Sequence, residues 1–514
     1  MARLTWFHSS IRRLQANMTD KPIRSAAKLS ENARLAFLFK DSAIYGVAGA
    51  LSKAFSLLTF PLLARHFSVT DYGVFDYFSV LANFLVIVFI FGQDSAVTRY
   101  FYEHNQSTDR RQLITQSLIF QAICLAIFIP ILWWNAQPIS AWLQPDRPSI
   151  DLFQVVLLQL PFILAMNFSQ NLLKICFERN KFLVMTLGAT VLQASALIIA
   201  VLVFDAGIRE VLIASLISYA AFGCIGLFFI RRWLAVPQGF ARLREMMPFA
   251  LPYGLLCVVS AFLPAIERGL TNHLLGPDDL GLYAAGAKIA LLLGMVVAAF
   301  QTAWEPFSIS IHKETDAART YNRVLQLYSL AIAVCTLLLF MVAQPLIIIL
   351  SSERYSGAAV LVFPLAMALA INATGMVTEI GIDIAKRSHL NLISHLVGLL
   401  VSSAGIWVFA KELGLFGVGI GVLVGQTART LLGTWLAQQA HPMPWSFRNV
   451  VGLLTLTTMF GLAATLISQV AGGYFHVTLT GFAVCGLVFW GWFRVLNVAE
   501  RHIARTFIAG RLRP

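Results

Sequence analysis

From residue 42 onward the sequence is a succession of apolar runs, each about 20 residues long, separated by short polar segments. About 20 helical residues cross the hydrocarbon core of a bilayer. In lipid, only helices and closed barrels satisfy their own backbone groups. The runs fall near 42–63, 72–92, 113–135, 152–173, 182–204, 210–230, 248–271, 280–304, 324–350, 357–384, 391–410, 415–437, 449–472 and 476–495. They predict an all-α, polytopic membrane protein with about 14 transmembrane helices. The runs at 324–350 and 357–384 are long enough to tilt or to contain an interfacial turn. Charged residues make up 12% of the chain and hydrophobic residues 58%, whereas roughly a quarter of a soluble domain is charged.

The net charge of +13 does not point to nucleic acid, because the basic residues sit in short loops and in the two tails. With the N-terminus placed in the cytoplasm, 29 of the 38 Lys and Arg residues fall on the inner side. Only Arg65, Arg147, Arg209, Arg354 and Lys411 fall on the outer side. The positive-inside rule then places both termini in the cytoplasm, next to anionic lipid. Residues 1–41 carry eight basic positions and no signal-peptide core, so they read as a basic cytoplasmic tail or surface helix; Met18 is an alternative start to Met1. The six cysteines lie singly inside apolar runs and read as small hydrophobes, so no disulfide, metal or cofactor is expected. The longest outer loop, near 135–151, is too short for a catalytic domain, which argues against an enzyme. Trp133, Trp134 and Trp142 lie beside it, as an interfacial aromatic belt would.

Two stretches resemble each other at an offset of about 208 residues: ARHFSVTDYGVF from Ala64 and TNHLLGPDDLGLY from Thr271. His66 corresponds to His273, Asp71 to Asp279, Gly73 to Gly281 and Phe75 to Tyr283. Each follows the first span of a six-helix half. The expected layout is an N-lobe over 42–235, a C-lobe over 236–440, and two further helices with a basic tail over 441–514. Repeats with the same topology place substrate between them near the bilayer midplane.

The run IYGVAGALSKAFSLLTFPLLARHFSVTDYGVFDYFSVLANFLVIVFIFGQDSAVTRYF resembles the opening of polysaccharide-biosynthesis flippases. ERGLTNHLLGPDDLGLYAAGAKIA, followed by AWEPF, resembles the second half of the same pattern. These flippases belong to the multidrug/oligosaccharidyl-lipid/polysaccharide exporter superfamily. The resemblance implies two six-helix lobes around a central cavity, with two extra helices. It also implies export of an undecaprenyl-diphosphate-linked oligosaccharide, an exopolysaccharide or O-antigen repeat unit, by alternating access. Polymerase or ligase components would then act on the exported glycan. Where many relatives have Asp-Arg late in span seven, this chain has Glu267-Arg268. Asp94 and Arg99 match the QDSAVTR-like segment, and a gate or loop-ordering role is expected for them, as for the turn residues Asp71, Gly73, Asp279 and Gly281.

A charge at the centre of a membrane helix costs about 2.5–3.5 kcal/mol on insertion scales, so it faces a cavity or a partner. Lys53, Arg268, Lys288 and Arg429 lie within spans and would form a cationic lumen for a diphosphate; the alternative is a set of inter-helix ion pairs, such as Glu267 with Lys288 or Arg268. Glu267, Asp76 and the Glu379/Asp383 pair are candidates for binding a coupling proton or sodium ion. Asp383 equally suits a pair with Arg387 one turn on, and Asp76 a charge near a helix start. His395 reads as an isolated, satisfied polar residue. Gly417, Gly419, Gly421 and Gly425 read as helix-packing positions and not as a nucleotide loop. Other readings are a lipid II flippase, a drug/cation antiporter, and a membrane polymerase or ligase. The basic spans argue against the antiporter, and the short outer loops against the polymerase or ligase.

Overall fold

The computed structural model describes residues 51, 58–104, 106–145, 148–312, 314, 316–385, 387–471, 473–496 and 501. Among them there are helices, turns and loops but no strand, and twelve helices are long and apolar enough to cross a membrane. The first expected span, 42–63, lies largely outside the described residues; its end, over 58–66, is helical.

The helices that follow are α1 (Val69–Ile90), α2 (Gln93–Glu103), α3 (Ser107–Trp134), α4 (Ala136–Leu143) and α5 (Ile150–Ile175). Next come α6 (Arg179–Phe204), which contains a π-helical turn at Val184–Gly188, and α7 (Ile208–Ile230). Then follow α8 (Ala241–Leu275), α9 (Pro277–Ile311), α10 (Ala317–Met341), α11 (Ala343–Leu350) and α12 (Ala359–Thr378). The last are α13 (Ile380–Ile384), α14 (His389–Ala440), α15 (Phe447–Ala471) and α16 (Gly473–Arg494).

Helix α14 has 52 residues, about 78 Å at 1.5 Å per residue, against a hydrocarbon core of about 30 Å. It is therefore two passes, corresponding to the runs at 391–410 and 415–437. The turn between them is Gly414, whose φ of 57° and ψ of −137° suit glycine alone. The two passes fold back on one another through the glycine positions. A Cβ at Gly421 would lie 2.4 Å from the Ile406 nitrogen, and one at Gly425 would lie 2.4 Å from the Ser402 Cβ. The long run at 324–350 does include a turn, because Val342 separates α10 from α11.

The chain divides into two compact units, one of residues up to Phe67 plus Val74–Ala265, the other of Ser68–Gly73 plus Ile266 onward. The last boundary falls inside α8, between Ala265 and Ile266. In the first unit α7 packs chiefly on α5, and Gln159 of α5 donates across to the Leu212 carbonyl at 2.8 Å. In the second unit α14 packs chiefly on α12, where Gly419 meets Leu361 and Pro364. α12 is well enclosed: Leu361, Val362, Phe363 and Ala366 on it are all fully buried.

The same internal design recurs in both units. The third span of each half is followed by an eight-residue helix, AQPISAWL in α4 and AQPLIIIL in α11. Both start from a residue with nearly the same backbone angles, Asn135 (φ −94°, ψ 17°) and Val342 (φ −98°, ψ 3°). Equivalent positions are buried: Ala136 with Ala343, and Ser140 with Ile347. The helix after each tolerates a proline, Pro161 in α5 and Pro364 in α12.

Replacing Gly421 by leucine forces atoms into the Ile406 backbone and is expected to cost about 1–3 kcal/mol by overpacking. Gly486→Leu fills space that is open within 4 Å and serves as the matched control. Thermal unfolding of the purified variants in detergent should show a lowered Tm for Gly421→Leu only.

Candidate functional site: charged groups within the spans

In the first unit the helical path of α1 is broken at Phe91 and Gly92, which have φ of 44° and 72°. The break starts α2 with Gln93 and Asp94. Asp94 accepts the Ser95 amide at 2.8 Å, and its carbonyl accepts from the Asn171 side chain at 3.1 Å. Arg99 is exposed; it pairs with Glu103 at 3.3 Å and lies 4.8 Å from the Phe249 ring centroid. Asp76 is buried on α1. Lys53 lies outside the described residues.

The two repeated turn motifs come together within the second unit. The Thr70 hydroxyl donates to the Asp278 carboxylate, a pair separated by 208 residues, the offset of the repeat itself. Ser68 caps the start of α1 by donating to Asp71 at 2.7 Å and accepting its amide at 3.0 Å. A Cβ at Gly73 would lie 2.5 Å from the Gly281 nitrogen, so only glycine allows this crossing. Asp279 is half-buried in the first turn of α9, where its charge complements the helix dipole.

Between α8 and α9, the Glu267 carboxylate accepts the Tyr283 hydroxyl at 2.7 Å. Arg268 lies 5.4 Å from the Tyr283 ring centroid, in cation–π range. Glu267, Arg268 and Tyr283 are all buried, and Lys288 is half-buried. Sequence reading found the charges and missed the tyrosine that joins them; its place opposite Phe75 in the repeat was the available signal.

A second charged group lies between α12 and α14. Arg429 donates to Glu379 at 3.1 Å, to the Asn372 side-chain oxygen, and to His395 at 3.3 Å. His395 is therefore satisfied, as expected, but belongs to a cluster and is not isolated. Asp383, one turn beyond Glu379, is exposed.

Two features of the first unit had no clear sequence signal. Glu178 gathers Lys181 at 2.7 Å and Arg232 on one carboxylate. The first turns of α3 hold the segment 234–243 by side-chain bonds. Arg111 donates to the Leu234 carbonyl at 2.7 Å, and Gln112 spans the Val236 carbonyl at 2.8 Å and the Gln238 amide at 2.9 Å. Thr115 accepts the Ala235 amide, and Gln116 the Leu243 amide, each at 2.9 Å. Two clefts of about 460 and 360 Å³ flank α3 and contain no charged residue, so they are apolar surfaces and not the charged sites. Among the described residues no three His, Cys, Asp or Glu side chains converge as a metal site.

Removing the Tyr283 hydroxyl should expose the cost of a buried carboxylate deprived of a donor. Tyr283→Phe is expected to lose about 1.5–3 kcal/mol, the worth of a hydrogen bond to a charged group. In a Glu267→Gln background the same change should cost clearly less, and thermal melts of the four proteins measure the difference.

Residues 38–312, more than half of the 514, match the model of a family described as polysaccharide biosynthesis protein. A relative from Haemophilus influenzae, Lsg locus putative protein 1, is 23% identical over 328 residues, 62% of this chain and 78% of that one. Among solved structures, the lipid II flippase MurJ in an inward closed conformation superposes with a TM-score of 0.69 at 13% identity, over 87% of this chain and 99% of its own. An inward-facing multidrug resistance transporter of the MATE family, in the MOP superfamily, superposes with a TM-score of 0.60 at 15% identity, over 79% of this chain and 96% of its own. At these identities the structural likeness establishes a shared fold.

Proposed function

The chain belongs to the polysaccharide biosynthesis protein family, and on that premise we propose that it is a flippase for a polyprenyl-diphosphate-linked oligosaccharide. The cargo is an exopolysaccharide or O-antigen repeat unit, moved from the cytoplasmic to the outer leaflet of a bacterial inner membrane. Both termini face the cytoplasm in this reading, as the basic tails and inner loops require. The observation that carries the proposal is the family match over residues 38–312.

The cargo's chemistry sets what the protein must supply. A diphosphate cannot cross a low-dielectric core without cations to meet it. Arg268 and Lys288 are proposed to meet it, with Lys53 as a third. Arg429, already bonded to Glu379, is left out of that path. Glu267, Asp76 and Asp383 are the candidates for a coupling proton or sodium ion. The protein alternates between two states that expose the cargo to either leaflet, and no covalent step is needed. Polymerase or ligase components take the exported glycan. A lipid II flippase is the second reading, favoured by the fold shared with MurJ.

Deletion of the gene should cause one lipid-linked glycan to accumulate on the cytoplasmic leaflet, and the intact gene should reverse this. Accumulated lipid II would favour the second reading, and raised drug sensitivity with no accumulated glycan would overturn both. Arg268→Ala with Lys288→Ala should abolish complementation while the protein still inserts; full complementation by the double variant would refute the cationic path.

A further inference from the structure

The cluster around Arg429 has the makeup of a cation site. Its guanidinium faces a carboxylate oxygen of Glu379 at 3.1 Å, the amide oxygen of Asn372, and Nε2 of His395 at 3.3 Å. The His395 tautomer follows from its other nitrogen. Nδ1 lies 2.8 Å from the Asn391 carbonyl, which only accepts, so Nδ1 carries the proton and Nε2 offers a lone pair. Carboxylate oxygen, amide oxygen and imidazole nitrogen are each ligands that bind metal cations elsewhere. Here all three converge on a guanidinium.

The surrounding helices are cut to fit this group. A Cβ at Gly433 would lie 2.4 Å from Glu379 Oε1, and one at Gly398 would lie 2.7 Å from the Arg429 Cβ. Glu379 and Arg429 are each 7% exposed. Glu379 Oε1 is buried and has no hydrogen-bond partner. It and the Thr430 hydroxyl lie 3.1 and 3.3 Å from the position of a Cβ on Gly375. A further acceptor oxygen therefore stands beside a hydroxyl in the same enclosed space.

We propose that this cluster is a monovalent-cation site permanently filled by the chain's own Arg429, so that the native protein exchanges no ion there. One negative charge is present, on Glu379, and one positive charge already neutralises it. A sodium ion or proton entering beside the guanidinium would leave a net positive charge in a site with little water to screen it. Departure of Arg429 would strand a buried carboxylate. Asp383 lies one turn away and is exposed, outside the enclosed cluster. The inference stands on this geometry and is independent of the identity of the cargo.

Thermal unfolding of purified wild type, Arg429→Ala, Glu379→Gln and the double variant, each in sodium and in choline chloride and at two pH values, tests the proposal. Wild type should melt at the same temperature in both salts. Arg429→Ala should gain a Tm that rises by several degrees with sodium or with added protons, since a ligand bound only by the folded state stabilises it. The salt arm identifies sodium, the pH arm a proton. Adding Glu379→Gln should remove the gain. A sodium-dependent Tm in wild type that Glu379→Gln abolishes would overturn the proposal. An Arg429→Ala protein that folds and responds to neither salt nor pH would also overturn it. If Arg429→Ala does not fold, recovery of folding in the double variant supports the charge balance, and the wild-type salt comparison still decides whether the native site exchanges an ion.

Discussion

Hydrocarbon offers no hydrogen bonds, and the arrangement of this chain follows from having to supply them all itself. Backbone demand is met by long helices, and side-chain demand by pairing across them. Gln159 reaches the Leu212 carbonyl, Tyr283 reaches Glu267, and Arg429 reaches Glu379, Asn372 and His395. Where the helix is broken at Phe91 and Gly92, the following residue Gln93 is bonded to Ser117 on α3 at 3.1 Å. Breaking one partner of a buried pair leaves an uncompensated charge, which is far costlier than never having had the pair. Such groups therefore mark where the spans are locked together.

The internal repeat is the second organising feature, and it extends further than its turn motif. Equivalent turns touch through Thr70 and Asp278 and through Gly73 and Gly281. The Ala-Gln-Pro helices α4 and α11 recur after the third span of each half, with matching buried positions. In the first unit the sixth span packs chiefly on the fourth, and in the second unit Gly419 of the sixth span meets Leu361 and Pro364 of the fourth. A shared plan of this kind means that a steric rule learned in one half, such as glycine at a close crossing, transfers to the other.

The apolar spans and the repeat's turn motif were legible because hydropathy and glycine placement are properties of local sequence. The turn within 324–350 and the packing role of Gly421 and Gly425 follow from the same signals. Pairing was legible only in part. Glu267 offered Arg268 and Lys288 as partners by depth, and the structure adds a donor at 2.7 Å, Tyr283, an uncharged residue that a search for ion pairs passes over. His395 looked solitary because its partner Arg429 is 34 residues away, beyond the turn at Gly414. The strap at 234–243 was hidden because its backbone groups bind Gln112, Thr115 and Gln116, polar residues in what reads as the ordinary polar start of a span.

Family membership places the chain in polysaccharide biosynthesis, and the proposed diphosphate cargo would give Arg268 and Lys288 a reason to stand in the spans despite their cost. The most direct test is transbilayer movement in proteoliposomes holding the purified protein and a polyprenyl-diphosphate-linked oligosaccharide, probed from outside with a membrane-impermeant lectin or glycan-oxidising enzyme. The account predicts that the pool protected in protein-free vesicles becomes accessible when the protein is present. A protected pool unchanged by correctly folded protein would contradict it.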